Sequence, residues 1–166
     1  MNRVCGVLFG VWFAISAIAA GKISSGLIAK GTKWETPFYH HDSGKPGPTI
    51  VITGGVHGNE PAGSRAAEQI RHWPITRGKL VVIPRVNNPG LREGTRYLPG
   101  EPPALRDLNR DFPKTDAPLA AKGVLAVALW EFIVEQKPDW FVDLHEGVDF
   151  HQINSKSVGS SIIDVK

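Results

Sequence analysis

Cysteine is almost missing from this chain of 166 residues: Cys5 is the only one. It lies in an apolar run, Val4 to Ile18, which follows Arg3 and closes with Ala17-Ile18-Ala19 ahead of Ala20. A basic start, an apolar stretch and a small-x-small ending make a secretory signal over residues 1–19 the expectation, with Ala20 as the first mature residue. The run is shorter than the about 20 apolar residues a membrane span needs, so no stable span is expected after cleavage. Gly6, Gly10 and Ser16 interrupt it as well. No apolar-x-x-Cys lipoprotein site follows. The mature chain would then carry no thiol, which excludes disulfides and cysteine metal ligands and suits an exported compartment, periplasmic or secreted. Any metal has to be held by histidine and carboxylate.

Charge of one sign is also scarce. A formal net charge of +3 with 21% charged residues is too small a surplus to imply nucleic acid as a partner. Internal repeats, low-complexity tracts and linkers are absent too, so residues 20–166 are expected to form one domain, long enough for a sizeable core.

What the chain does have is the stretch Val51-Ile52-Thr53-Gly54-Gly55-Val56-His57-Gly58-Asn59-Glu60-Pro61. The β-branched run from Thr49 to Thr53 predicts a buried strand, and the two glycines break it into a loop that presents His57 and Glu60 just before a helix. In H-x-x-E the spacing lets an imidazole nitrogen and a carboxylate oxygen converge on one ion if the loop curls into a helical turn. A third candidate ligand, His145, stands in Phe141-Val142-Asp143-Leu144-His145-Glu146-Gly147, where a second apolar strand runs into a glycine. Ligands collect at the carboxyl ends of strands in open α/β sheets, so two strand ends carrying three ligands suggest a zinc site.

Around these strands, Lys33 to His40 and the turn cluster Asp42 to Pro48 predict a hairpin feeding the central strand. Ala62, Ala66, Ile70 and Trp73 recur at helical spacing until Pro74, and Lys79 to Val86 predicts a second strand, completing a β-α-β unit. Asn87 to Pro113 shows no periodicity and reads as one long, functional loop carrying Arg92, Arg96, Arg106 and Arg110. Leu119 to Val134 predicts a helix apolar on most of its circumference and therefore sandwiched. Trp140 to Leu144 is a third strand, and Ser161 to Val165 is a candidate fourth.

Two neutral imidazoles and one carboxylate leave a bound Zn²⁺ positively charged with an open position, the requirement of a catalytic site. Such an ion serves amide or ester hydrolysis. The step also needs donors for the oxyanion and an anchor for the substrate, and the long loop offers Arg96 and Asp107-Leu108-Asn109-Arg110, an arginine fork being able to take a carboxylate in two bonds. Asp107 is also placed to accept the outer N–H of a ligating histidine. Each has an alternative: loop arginines are commonly solvated, and Asp-x-Asn can be a turn bonded to its own backbone. For Asp143, a polar strand end and a contact behind a ligating histidine are both open. Glu146 points away from His145 if the strand continues, which makes it a poor general base. His40, His41 and His72 show no spacing that suggests a site.

His57-x-x-Glu60, Asp107-Leu108-Asn109-Arg110 and Asp143-Leu144-His145, in that order, resemble the zinc carboxypeptidase superfamily, and specifically its succinylglutamate desuccinylase/aspartoacylase branch. The resemblance extends from about Trp34 onward, and carboxypeptidase A uses the same His₂Glu ligand set. It implies one zinc per chain held by His57, Glu60 and His145, with Asn109 and Arg110 binding a substrate carboxylate. Asn87-Asn88-Pro89 through Thr95-Arg96-Tyr97 resembles the segment that carries the carbonyl-polarising arginine. Arg96 is the implied residue, with Arg106 and, less so, Arg92 as rivals because Leu98 to Arg106 is longer than in aspartoacylases. The implied fold is a three-layer αβα sandwich around a mixed, mostly parallel sheet. Members also carry a general-base glutamate well downstream of the third ligand, and no glutamate follows Glu146 here. The chain is therefore expected to be the N-terminal part of a member, incomplete at its C-terminus. The functions that follow are a zinc-dependent deacylase of N-acyl amino acids or a carboxypeptidase on small peptides. The alternatives are a catalytically impaired module that binds zinc or a carboxylate ligand, and a plain exported α/β domain without metal.

Overall fold

The β-branched and aliphatic runs form the strands of a single mixed sheet. The structure, a computed structural model, describes residues 21–113, 121–147, 152, 153 and 155. Its strands are β1 (Lys22–Ile28), β2 (Thr36–Asp42), β3 (Thr49–Gly54), β4 (Lys79–Ile83) and β5 (Trp140–Leu144), in the spatial order β1-β2-β4-β3-β5. β1 pairs antiparallel with β2 and β2 antiparallel with β4, while β3 runs parallel to both β4 and β5. The two parallel pairings bring the carboxyl ends of β3 and β5 side by side, with Thr53 opposite Asp143 and Gly54 opposite Leu144.

Period-two alternation divides the core between the two faces of this sheet. On one face Val51, Val81 and Ile83 pack with Leu125, Leu129 and Ile133 of helix α3 (Val124–Glu135). On the other, Leu80 and Val82 pack with Ala67 and Ile70 of helix α1 (Pro61–Ile70), joined by Ile50, Ile52 and Leu144. These are the three layers that the resemblance implies, with a mixed sheet that among the described residues is parallel in two of its four pairings rather than mostly parallel. Ile83 and Leu129 have no exposure at all, and truncating either to alanine is expected to cost roughly 2–5 kcal/mol.

Several expectations need correction. The hairpin is β1 with β2, and its second strand pairs with β4; β3 lies one strand further on. β1 has no apolar alternation to announce it because most of it is exposed. The segment after β4 is not structureless: α2 (Asn88–Glu93) and a 3-10 turn (Leu108–Arg110) lie within it. Asn87 caps α2 by accepting from the Gly90 N–H at 2.9 Å, Pro89 occupies its first turn, and Gly94 closes it in the left-handed region. α3 begins at Val124, behind an extended Gly123, and the described residues cover only its sheet-facing side. Val124, Trp130 and Val134 stay exposed while Leu125, Ala126, Leu129 and Ile133 face the sheet. The signal segment, residues 1–19, and the candidate strand Ser161 to Val165 lie outside the described residues. No helix among the described residues is long and apolar enough to cross a membrane.

Candidate metal centre

The site forms where β3 ends. Gly55 takes the positive φ of 74° that turns the chain out of the strand, and the Glu60 N–H donates to the His57 carbonyl at 3.2 Å. That bond curls H-x-x-E into one turn and puts both side chains on the same side. Gly58 lies so close to the backbone of Gly90 and Leu91 that a Cβ there would collide with them, so α2 is packed directly on this loop. Gly63, in the first turn of α1, is pressed in the same way against Leu144 at the end of β5. Bare backbone at these two positions lets the three segments of the site meet.

One nitrogen, one carboxylate oxygen and one nitrogen from His57, Glu60 and His145 lie within 4.8 Å of one another. Nδ1 of His57 is 2.7 Å from Glu60 Oε1, and Nδ1 of His145 is 2.9 Å from Glu60 Oε2. The outer nitrogens turn the opposite way. Nε2 of His57 lies 3.3 Å from Asp107 Oδ1, and Nε2 of His145 lies 2.7 Å from Asp143 Oδ2. Each imidazole therefore has a carboxylate at both of its nitrogens. A neutral imidazole donates from one nitrogen only, so this arrangement requires either a second proton or a cation between the other lone pair and the carboxylate it faces. Nδ1, carboxylate and Nδ1 converging, with each Nε2 anchored behind, is the donor chemistry that a zinc ion fits.

The charges fit the same reading. Burial opposes ionisation of Glu60, but hydrogen bonds from His145, His57 and the Glu146 N–H outweigh it, and its carboxyl is held well below the usual range. His145 is pushed up to about 10, first by its bond to Asp143 and then by its bond to Glu60, against an opposing effect of burial. The surrounding carboxylates thus call for positive charge at His145, which a proton or a cation can supply.

The loop residues separate by position. Arg96 reaches the centre, with Nη1 2.9 Å from Glu60 Oε1 and Nε 3.9 Å from Asp107 Oδ2. Buried Asn87 steers this segment: its Oδ1 caps α2, and its Nδ2 donates to the Tyr97 carbonyl at 3.2 Å. Arg106 instead stacks on the Tyr97 ring, 4.3 Å from its centroid, and Arg92 sits in the last turn of α2. Arg110 is exposed and donates to the Asn109 carbonyl, so neither residue touches the three ligands. Asp143 is drawn to His145, which favours the second of its two open readings. Glu146 accepts from the Ala62 N–H at 3.0 Å and so caps α1, an engagement that keeps its carboxylate at the helix end. Sequence reasoning missed Thr53 and the side-chain role of Asn87. The Asn-x-Pro-Gly spacing after β4 was a legible cap signal for Asn87; Thr53 left no such signal.

Residues 46–155 match the succinylglutamate desuccinylase/aspartoacylase catalytic domain family. The chain belongs to that family. Among curated relatives it is 33% identical over 70 residues to N-alpha-acetyl-L-2,4-diaminobutyric acid deacetylase of Halomonas elongata, covering 40% of this chain and 20% of that protein. The succinylglutamate desuccinylase/aspartoacylase structure from Rhodobacter sphaeroides is 31% identical with a TM-score of 0.55, over 68% of this chain and 33% of that one. The product-bound ectoine utilization protein EutE (DoeB) from Ruegeria pomeroyi superimposes with a TM-score of 0.59 at 24% identity, over 77% of this chain and 40% of its own. A metallo-carboxypeptidase from Burkholderia cenocepacia shares the fold at 17% identity and a TM-score of 0.54, over 78% and 37% of the two chains. The chain thus spans a fifth of this curated relative and between a third and two-fifths of these solved structures.

Proposed function

We propose that this chain carries the metal-binding part of a zinc-dependent hydrolase that removes the acyl group from small N-acyl amino acids. The observation that carries the reading is the orientation of the two imidazoles. Both turn Nδ1 to the Glu60 carboxylate, and both leave Nε2 to a separate aspartate. Family membership supports the reaction class, and the Halomonas elongata and Rhodobacter sphaeroides relatives support an amide-bonded acyl group as the substrate feature.

His57, Glu60 and His145 would hold the ion. Bound there, zinc would polarise the scissile carbonyl and lower the pKa of a coordinated water to about 7. Asp107 and Asp143 take the outer N–H groups of the histidines, which fixes each ring's tautomer and raises its basicity. Arg96 is tethered to Glu60 through Nη1 and faces Asp107 through Nε, leaving Nη2 to stabilise negative charge as it develops on the carbonyl oxygen. Arg110 and Asn109 stand on the 3-10 turn next to Asp107, and we assign them the substrate carboxylate because a guanidinium fork matches it in two bonds. Export completes the proposal and rests on the sequence of residues 1–19; N-terminal sequencing of the native product should begin at Ala20.

The deciding experiment combines elemental analysis with turnover. Purified protein should contain about one zinc per chain and release free amino acid from N-acetyl or N-succinyl substrates only slowly, because no glutamate follows Glu146 to serve as the general base. Stoichiometric zinc without turnover on either substrate would favour the binding module. No zinc at all would end the metal reading.

A further inference from the structure

We propose that Thr53 is a positioning residue for the ligand His145 and acts through Asp143. This deepens the zinc reading and rests on it. Thr53 lies in β3, keeps 1% of its exposure, and is the direct cross-strand partner of Asp143 in β5. Its Oγ1 donates to Asp143 Oδ1 at 2.7 Å, while the other oxygen of the same carboxylate takes Nε2 of His145 at 2.7 Å. The three side chains form one hydrogen-bonded chain from β3 to the ligand candidate His145.

Why a hydroxyl is needed follows from the surroundings. Among the described residues β5 has a strand neighbour on one side only, and Trp140, Phe141 and Val142 keep 66%, 45% and 39% of their exposure. Apolar packing therefore does little to fix the orientation of Asp143. A carboxylate held at one oxygen can rotate about its last side-chain torsion, which is broad and has no deep wells. A donor at its second oxygen stops that rotation, and O–H to carboxylate bonds of this length are among the stronger hydrogen bonds. Valine would suit a buried strand position as well as threonine does, so the strand itself gives no reason for the hydroxyl.

The test uses the full chain and its variants Thr53→Val, Thr53→Ala and Thr53→Ser. Zinc affinity is read by competition with a chromophoric chelator, and ligand geometry by the visible absorption of the cobalt-substituted protein. Loss of a partner behind a ligating histidine typically costs about 10 to 100-fold in metal affinity. Thr53 acts one bond further out, so Val and Ala should weaken zinc binding by about tenfold, the low end of that range, and alter the cobalt band. Ser should restore both. If Val unfolds, the Ala and Ser pair makes the same comparison. Wild-type affinity and spectrum in Val, or a Ser variant as weak as Ala, would show that the methyl group and not the hydroxyl matters, and would overturn the proposal. A cycle with Asp143→Asn gives a second readout: once Asp143 is replaced, Thr53→Val should add little, and full additivity would mean that Thr53 does not act through Asp143. A wild-type protein that binds no zinc would instead overturn the metal reading, and the role of Thr53 with it.

Discussion

His57 follows a strand with neighbours on both sides, whereas His145 follows one at the border of the described sheet. The His57 side chain keeps 2% of its exposure and the His145 side chain 33%. Van der Waals packing and the close fit of Gly58 on α2 hold the first in addition to its contacts with Glu60 and Asp107. Hydrogen bonds to Asp143 and Glu60 fix the second, and the Glu146 N–H holds Glu60 itself in place. The two proposed ligands thus share hydrogen-bonding partners but differ in how much packing supports them, and substitutions should separate the two supports.

The largest effects should come from the ligands. His57→Ala and His145→Ala should each abolish stoichiometric zinc, because a three-residue site that loses one ligand loses most of its affinity. In the metal-free protein His57→Ala should cost roughly 1–3 kcal/mol at any pH, since it leaves a gap in packed surroundings, whereas the cost of His145→Ala should fade as pH rises, because it removes charge-assisted bonds to Asp143 and Glu60. Elemental analysis and denaturant melts check the pair. Equal destabilisation by both variants at every pH would erase the distinction between the two supports, and zinc retained in both would remove the site.

Next in size is the contrast between two arginines on the same segment. Arg96→Ala should lower kcat by roughly 10² to 10³-fold, the usual loss for one oxyanion donor, in a protein that turns over. Arg106→Ala should leave kcat nearly unchanged, because its guanidinium is stacked on Tyr97. The reverse result would move the carbonyl-polarising role to Arg106.

The two aspartates sharpen the comparison further. Asp143→Asn should weaken zinc more than Asp107→Asn, both within about 10 to 100-fold. The physical reason is the tighter contact, 2.7 Å against 3.3 Å, on the histidine that has less packing to fall back on. Chelator competition measures both. A larger loss at Asp107 would mean that its neighbour Arg96, and not the histidine bond, governs the effect.

How much of this was legible follows from where each signal is stored. β3, β4 and β5 are continuous apolar runs, and H-x-x-E is local, so both could be read directly. Asp107 could be tied to a histidine only through the resemblance and its chemistry, because 50 positions separate it from His57. The Thr53 contact with Asp143 spans 90 positions and exists only in the β3–β5 register, which no local pattern encodes. α2 escaped notice because six residues are too few for periodicity, although Asn87, Pro89 and Gly94 spell out its start and end. The side of α3 that the described residues leave exposed was not legible, because an apolar circumference does not say which face finds a partner.

The smallest expected effect is a pH dependence of metal-free stability that belongs to His145. Its unfolded value is the ordinary 6.5, and its folded value is raised to about 10 by Asp143 and Glu60. A raised histidine contributes stability that is fully present below the unfolded value and is lost as pH rises through the folded one. The Tm of the metal-free protein should therefore fall between about pH 6.5 and pH 10, and His145→Ala should flatten that slope. Glu60 works in the opposite sense: its depressed carboxyl stabilises the fold above its unfolded value of 4.5 and stops doing so as pH falls below it, so the two slopes occupy separate windows. Zinc should reverse the alkaline trend. It takes the place of the proton at His145, so binding at pH 7 to 8 should release protons, and affinity should rise with pH across the same range in which metal-free stability declines. Calorimetry in buffers of different ionisation enthalpy counts those protons. A count unchanged by His145→Asn would place them elsewhere, and the edge-strand histidine would then lose its claim to be the charge-sensitive support of the site.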